Sequence, residues 1–295
     1  MRQKTGNPSV RPQNRGRLRV RWGRVAAALA MLVSLLCLTV FSVAALHQVF
    51  TAKPVNITPE SRPLLEYDDF NPGYIISDAN FQNWQSMGER DIQKFLDQAS
   101  SICEDGPNKC FAKGTYPLPS QPTTQFCDAI KGGENLSGAL IIAKVAKACH
   151  INPQVILVTL QKEQGLLTAS GKNLTNSRFA AAMGYACPDG KKCNPKYAGV
   201  GKQIYYAATQ FNRYQQDPDH YRFRAGQVIF IPYSVDPKCG GEKVVIQNWA
   251  SAALYNYTPY QPNADALAHN FQDSCAQAGN VNFFAYYKAW FGNPK

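Results

Sequence analysis

Apolar positions in this chain follow two patterns, one continuous and one periodic. From Val25 to Leu46 the run VAAALAMLVSLLCLTVFSVAAL carries no charge. About 20 such residues cross the roughly 30 Å of a bilayer's hydrocarbon as a helix, so residues 25–46 are predicted to form a transmembrane helix or signal anchor. Residues 47–73 contain Pro54, Pro59, Pro63 and Pro72 and few apolar runs, which predicts an extended linker. Periodic apolar positions begin near Tyr74 and continue to the last residue, so 74–295 reads as one exported domain.

Within that domain the 3.6-residue period dominates. Ser86-Met-Gly-Glu89 has the form of a capping box, followed by Ile92, Phe95 and Leu96 at helical spacing. Residues 100–134 are rich in Gly, Pro, Thr and Cys and read as a loop. A helix is expected from Ser137 to Cys149, with Leu140, Ile141, Val145 and Ala148 on its apolar stripe. Asn152-Pro153 is a helix start, an N-cap followed by proline at the first position, and that helix is expected to reach Leu167. Residues 197–215 predict a long helix with aromatic residues on one side. Tyr221–Tyr233 alternates, broken at Ala225-Gly226, and reads as a hairpin, with a further strand at Lys243–Gln247. Helices are expected again at 248–255, 264–270 and 281–291. The fold class is therefore mainly α (α+β), with a small β element.

Charge sharpens the membrane reading. The formal net charge is +11, but Arg2, Lys4, Arg11, Arg15, Arg17, Arg19, Arg21 and Arg24 account for eight of it, leaving +3 for the rest. The basic balance belongs to a tail, residues 1–24, so no nucleic-acid partner is expected. Arginines on one flank of an apolar run keep that flank in the cytoplasm, which sends the C-terminal domain outside. Ser42 and Ala44 also fit a small-x-small cleavage site, which would release the domain after Ala44. The length of the run favours an uncleaved anchor in the plasma membrane.

Cysteine usage agrees with export. One of nine, Cys37, lies in the apolar run. The other eight are Cys103, Cys110, Cys127, Cys149, Cys187, Cys193, Cys239 and Cys275, an even set suited to disulfides. Spacing alone does not fix the connectivity; closeness along the chain suggests joining them consecutively in pairs. No Cys-x-x-Cys occurs and the histidines lack ligand spacing, so no metal is expected. No phosphate-binding glycine loop or Gly-x-Ser-x-Gly is present, and no cofactor is expected.

One acid stands out. Ile156, Leu160, Glu163 and Leu167 are spaced i, i+4, i+7, i+11 and share a helical face. Glu163 is thereby expected on an apolar stripe near a helix end. Burial there favours the protonated carboxyl, which can give its proton to a leaving glycosidic oxygen. The structural alternative is a partly buried Glu paired with a Lys or Arg. Asp189, Asp236, Glu242 and Asp273 lie in turn-like, polar stretches and read as solvated.

Three segments then resemble lysozyme-like lytic transglycosylases. Ile142 through His150-Ile-Asn-Pro153 to Glu163-Gln-Gly165 is similar to their paired helices ending in the catalytic Glu. Ala182-Met183-Gly184-Tyr185 resembles the glycine turn that lines their cleft. Ala252-Ala253-Leu254-Tyr255-Asn256-Tyr257 resembles their late-helix Ala-Ala-Tyr-Asn motif. The resemblance implies Glu163 as catalytic acid/base, with Gln164, Met183, Gly184, Tyr185, Tyr255, Asn256 and Tyr257 contacting substrate. It implies peptidoglycan, or another cell-surface glycan, as partner. Two departures stand against it: Gln164 replaces the usual Ser, and Ala186-Cys187 replaces Met-Gln after the turn. The stretches NPGYIISDANF, INPQVILVTLQKEQG and YNYTPYQPN also resemble an actinobacterial group of exported, hemagglutinin-like proteins. Two functions are therefore expected to compete: a glycan-cleaving enzyme, and a non-catalytic glycan-binding or adhesion protein on a lysozyme-like frame.

Overall fold

The structure is a computed structural model that describes residues 63–188 and 190–295. The basic tail, the apolar run 25–46, most of the linker and Asp189 lie outside the described residues. Among the described residues no helix is long and apolar enough to cross a membrane.

The described chain is mainly helical with two small antiparallel hairpins. The helices are α1 (Asp78–Gln82), α2 (Glu89–Ala99), α3 (Gly138–Cys149), α4 (Pro153–Gln164), α5 (Asn176–Ala180), α6 (Val200–Gln216), α7 (Trp249–Tyr257), α8 (Ala264–Leu267) and α9 (Val281–Phe291). Strands β1 (Thr115–Leu118) and β2 (Gly133–Ser137) form one hairpin; β3 (Val228–Pro232) and β4 (Gly241–Val245) form the other.

Helix α4 is the centre. Every residue from Val155 to Gln161 is buried, so α4 is covered on all sides rather than along one stripe. Helices α3 and α9 pack against it, α6 packs on α3, and α7 packs on α6. Ile141, Ile142 and Val145 of α3, Ile204 and Phe211 of α6, and Phe283 and Phe284 of α9 fill the space between.

The N-terminus of α4 follows the expected chemistry. Asn152 Oδ1 accepts from the Gln154 amide at 2.8 Å, and Pro153 occupies the first turn, where no amide donor is needed. Asn152 is fully buried because its Nδ2 also donates to the Asn80 carbonyl at 2.7 Å. One side chain thus caps the central helix and fastens α1 to it.

Several local expectations are corrected. The N-cap of α2 is Gly88, whose amide donates to Asp91 Oδ2 at 3.1 Å, so Ser86–Glu89 is not the box. Ser86 instead donates to Asn152. Helix α4 ends at Gln164, because Gly165 takes φ +61° and closes it with a bond to the Gln161 carbonyl. The loop 100–134 contains β1, paired with β2 through Tyr116 and Leu136. Residues 221–233 form no hairpin of their own. Val228 pairs with Val245 and Pro232 with Gly241, so the turn lies over residues 233–240.

The eight cysteines outside the apolar run form four disulfides, Cys103–Cys110, Cys127–Cys149, Cys187–Cys193 and Cys239–Cys275. The second joins the 120s loop to the end of α3. The fourth ties the β3–β4 turn to the segment before α9.

Candidate functional site

Glu163 sits where α4 emerges from the core. Its position along the helix axis decides its exposure, since the preceding two turns are covered on every face. The adjacent Lys162 curls round the helix end, and its Nζ lies 2.6 Å from Glu163 Oε1. The same ammonium donates to Thr258 Oγ1 at 2.7 Å, just past the end of α7. The Lys162 side chain is 9% exposed and that of Glu163 is 21% exposed. The acid is therefore neither sealed in the core nor alone: it is one half of an ion pair at a surface.

The other carboxylate oxygen faces the Gly184 turn. A Cβ built on Gly184 would lie 2.8 Å from Glu163 Oε2, and Gly184 has φ +72°. Both facts call for glycine at this position. Gln203 of α6 holds the turn in place. Its Oε1 accepts from the Met183 and Tyr185 amides at 3.1 and 3.0 Å. Its Nε2 donates to the Tyr185 and Tyr197 carbonyls, each at 3.0 Å. Gln203 is 1% exposed, and these four bonds use its amide fully.

Tyr257 closes the third side. Its hydroxyl donates to the Met183 carbonyl at 2.7 Å, and its ring stacks on Phe211. Burial holds this phenol well above its usual value near 10, and the negative Glu163 adds to the shift. The ends of α4 and α7 and the 183–185 turn therefore meet around one carboxylate.

The predicted site residues divide into two groups. Glu163, Gln164, Gly184 and Tyr257 come together, with Tyr185 next to them. Tyr255 does not join them: it is fully buried, its hydroxyl donating to the Pro72 carbonyl at 2.9 Å. Asn256 spends both ends of its amide on Phe223, accepting from its N–H at 3.0 Å and donating to its carbonyl at 2.8 Å. Met183 is buried, so only its backbone takes part. The Tyr-Asn pair of the late helix is thus structural here, and the next two residues serve the acid instead, Tyr257 beside Glu163 and Thr258 through its bond from Lys162. Sequence reasoning missed Lys162, Thr258 and Gln203. Lys162 adjoins Glu163 in sequence, but neighbouring helix positions ordinarily point apart. Thr258 and Gln203 carry no local signal.

An open, largely polar cleft of about 470 Å³ lies against the end of α4. Besides Lys162 and Glu163 it is lined by Gln164, Thr168, Asn173, Arg178 and Tyr286. Gln161 braces its floor, donating to Thr168 Oγ1 at 2.8 Å and accepting from the Leu167 amide at 3.2 Å. The cleft can take a polar ligand against the carboxylate.

Residues 74–295 match the family model described as LasA, N-terminal domain. The chain belongs to that family. No curated protein and no solved structure matches significantly. In this member of the LasA N-terminal domain family, every residue placed around Glu163 falls inside the matched segment.

Proposed function

We propose that this is an exported, membrane-tethered domain that cleaves cell-wall peptidoglycan with Glu163 as its single acid/base. The observation that carries the reading is the meeting of Glu163 with Gly184, two positions distant in sequence and both marked by the lytic-transglycosylase resemblance. Their contact is so close that a methyl group would not fit. The open cleft beside them supports a glycan ligand.

In this reading the carboxyl protonates the glycosidic oxygen between N-acetylmuramic acid and N-acetylglucosamine, and the anomeric C–O bond breaks. The carboxylate then takes the proton of the sugar's own 6-hydroxyl as that oxygen bonds to the anomeric carbon. A 1,6-anhydro end results, and no carboxylate nucleophile is required. The carboxyl regains its proton from the 6-hydroxyl, so it ends the cycle as it began, and Lys162 Nζ, 2.6 Å from Oε1, holds it in place beside the cleft.

A second reading, glycan binding or adhesion without cleavage, is favoured by the same pair. Glu163 is engaged in an ion pair with Lys162, and Tyr255 and Asn256 are committed elsewhere. Digestion of peptidoglycan by the full chain, beside Glu163→Gln, separates the two. Release of anhydro-sugar fragments by the parent alone supports cleavage. Binding by both with release by neither sinks it in favour of adhesion.

A further inference from the structure

Five tyrosines beside the Glu163 site have no part in the scheme above. Helix α6 buries Ile204, Tyr205, Ala207, Ala208 and Phe211, while Lys202, Tyr206, Gln210 and Tyr214 recur every fourth residue on its outer face and stay partly exposed. Tyr206 and Tyr214 are eight residues apart, about 12 Å along the helix at its usual rise. At one end Tyr185 stacks on Tyr206, with ring centroids 5.8 Å apart and planes 17° from parallel. Tyr197 stands edge-on to both, at 5.1 and 4.7 Å. At the other end Tyr221 stands edge-on to Tyr214 at 4.6 Å. Gln210 lies between Tyr206 and Tyr214 on the helix and donates to the Tyr221 hydroxyl at 3.1 Å.

We propose that Tyr185, Tyr197, Tyr206, Tyr214 and Tyr221 form an aromatic track that binds an extended glycan strand leading to Glu163. The inference rests on the glycan reading of that site and gives it a substrate form, a chain several sugars long. Three observations carry it. First, the track reaches the acid: Tyr185, which stacks on Tyr206, directly follows Gly184, and Gly184 stands against Glu163 Oε2. Second, all five rings are half-buried, whereas the inward positions of the same helix are closed. Third, phenol hydroxyls and the Gln210 amide lie among the rings. Pyranose rings present apolar C–H faces with polar rims, and ring faces bordered by donors and acceptors suit them. No aliphatic anchor for a protein partner lies among these side chains. A polyphosphate would meet the Glu163 carboxylate at the end of the track, which a neutral glycan tolerates.

The test is calorimetric binding of β-1,4-linked N-acetylglucosamine oligomers, from disaccharide to octasaccharide, to the full chain carrying Glu163→Gln. Affinity is expected to rise with oligomer length. Tyr206→Ala and Tyr221→Ala should each weaken the longest oligomer about three- to tenfold, in line with one lost aromatic contact, and leave the disaccharide unchanged. Tyr206→Phe, which keeps the ring, should retain most of the affinity, and a thermal melt checks that each variant folds. Length-independent affinity, or long-oligomer affinity unchanged in both alanine variants, overturns the track. Cleavage is scored separately: if the parent releases no anhydro fragments but long oligomers still depend on Tyr206, the catalytic reading falls and the track stands.

Discussion

Lys162 Nζ lies 2.6 Å from Glu163 Oε1, although the two are sequence neighbours on one helix. The contact forms because α4 ends one residue later and both side chains turn into the space beyond it. With the Lys162 side chain only 9% exposed, the ammonium depends on Glu163 and Thr258 for the interactions water would otherwise give.

Lys162→Met is therefore expected to leave a half-buried carboxylate without its cation. The loss of stability should be about 1–3 kcal/mol, below the range for a fully buried pair because Glu163 keeps contact with water. Lys162→Met combined with Glu163→Gln should recover part of it. Urea denaturation of the four proteins gives the coupling; strictly additive effects would show that the pair does not interact.

Gln203→Leu removes four hydrogen bonds from the turn that faces Glu163. The orphaned Met183 and Tyr185 amides predict a loss of about 2–4 kcal/mol. Amide exchange at Tyr185 should accelerate more than in α9, which Gln203 does not touch. Uniform acceleration across the domain would contradict a local role.

Gly184→Ala adds a methyl group where Glu163 Oε2 already stands and strains a residue at φ +72°. A cost of about 1–2 kcal/mol is expected from the backbone alone. Glycan cleavage should fall more than tenfold as the carboxylate is displaced. Ala181→Gly, at the partly exposed end of α5, serves as control; a similar fall in both would remove the special role of Gly184.

Alkaline pH should unfold the domain through its phenols. Burial raises Tyr116, Tyr214, Tyr255, Tyr257 and Tyr287 above the usual value near 10. The folded state thus holds these protons more tightly than the unfolded chain. Their contribution is complete below pH 10 and is lost as pH rises through the folded-state values. Denaturation free energy should fall with pH above about 10, and less steeply for Tyr257→Phe. A flat profile through pH 11, or all fifteen phenols ionising freely near 10 by ultraviolet titration, would disprove it.

Much of the helical frame was legible locally. Asn152-Pro153 announced the start of α4 because capping is decided within three residues, and Val281–Phe291 matched its expected bounds. Consecutive pairing of the cysteines was also right. By contrast, β1 was hidden in a loop-like composition, because a four-residue strand containing Pro117 gains its identity from its partner β2. The Tyr221–Tyr233 alternation misled for a similar reason: β3 found its partner beyond the Pro237–Cys239 turn.

By itself, then, the sequence determined the apolar and polar periods, the Asn152-Pro153 start of α4, the position of Glu163 near a helix end and the family match of residues 74–295. Those features depend on contacts within one or two helical turns, or on the order of residues alone. Only the tertiary structure decided what surrounds the acid. It brought Gly184 and Tyr257 to Glu163, turned Tyr255 and Asn256 away, and set Lys162, held by Thr258, against the carboxylate. Those contacts depend on how α4, α6 and α7 end relative to one another, and no local spacing encodes the meeting of helix ends.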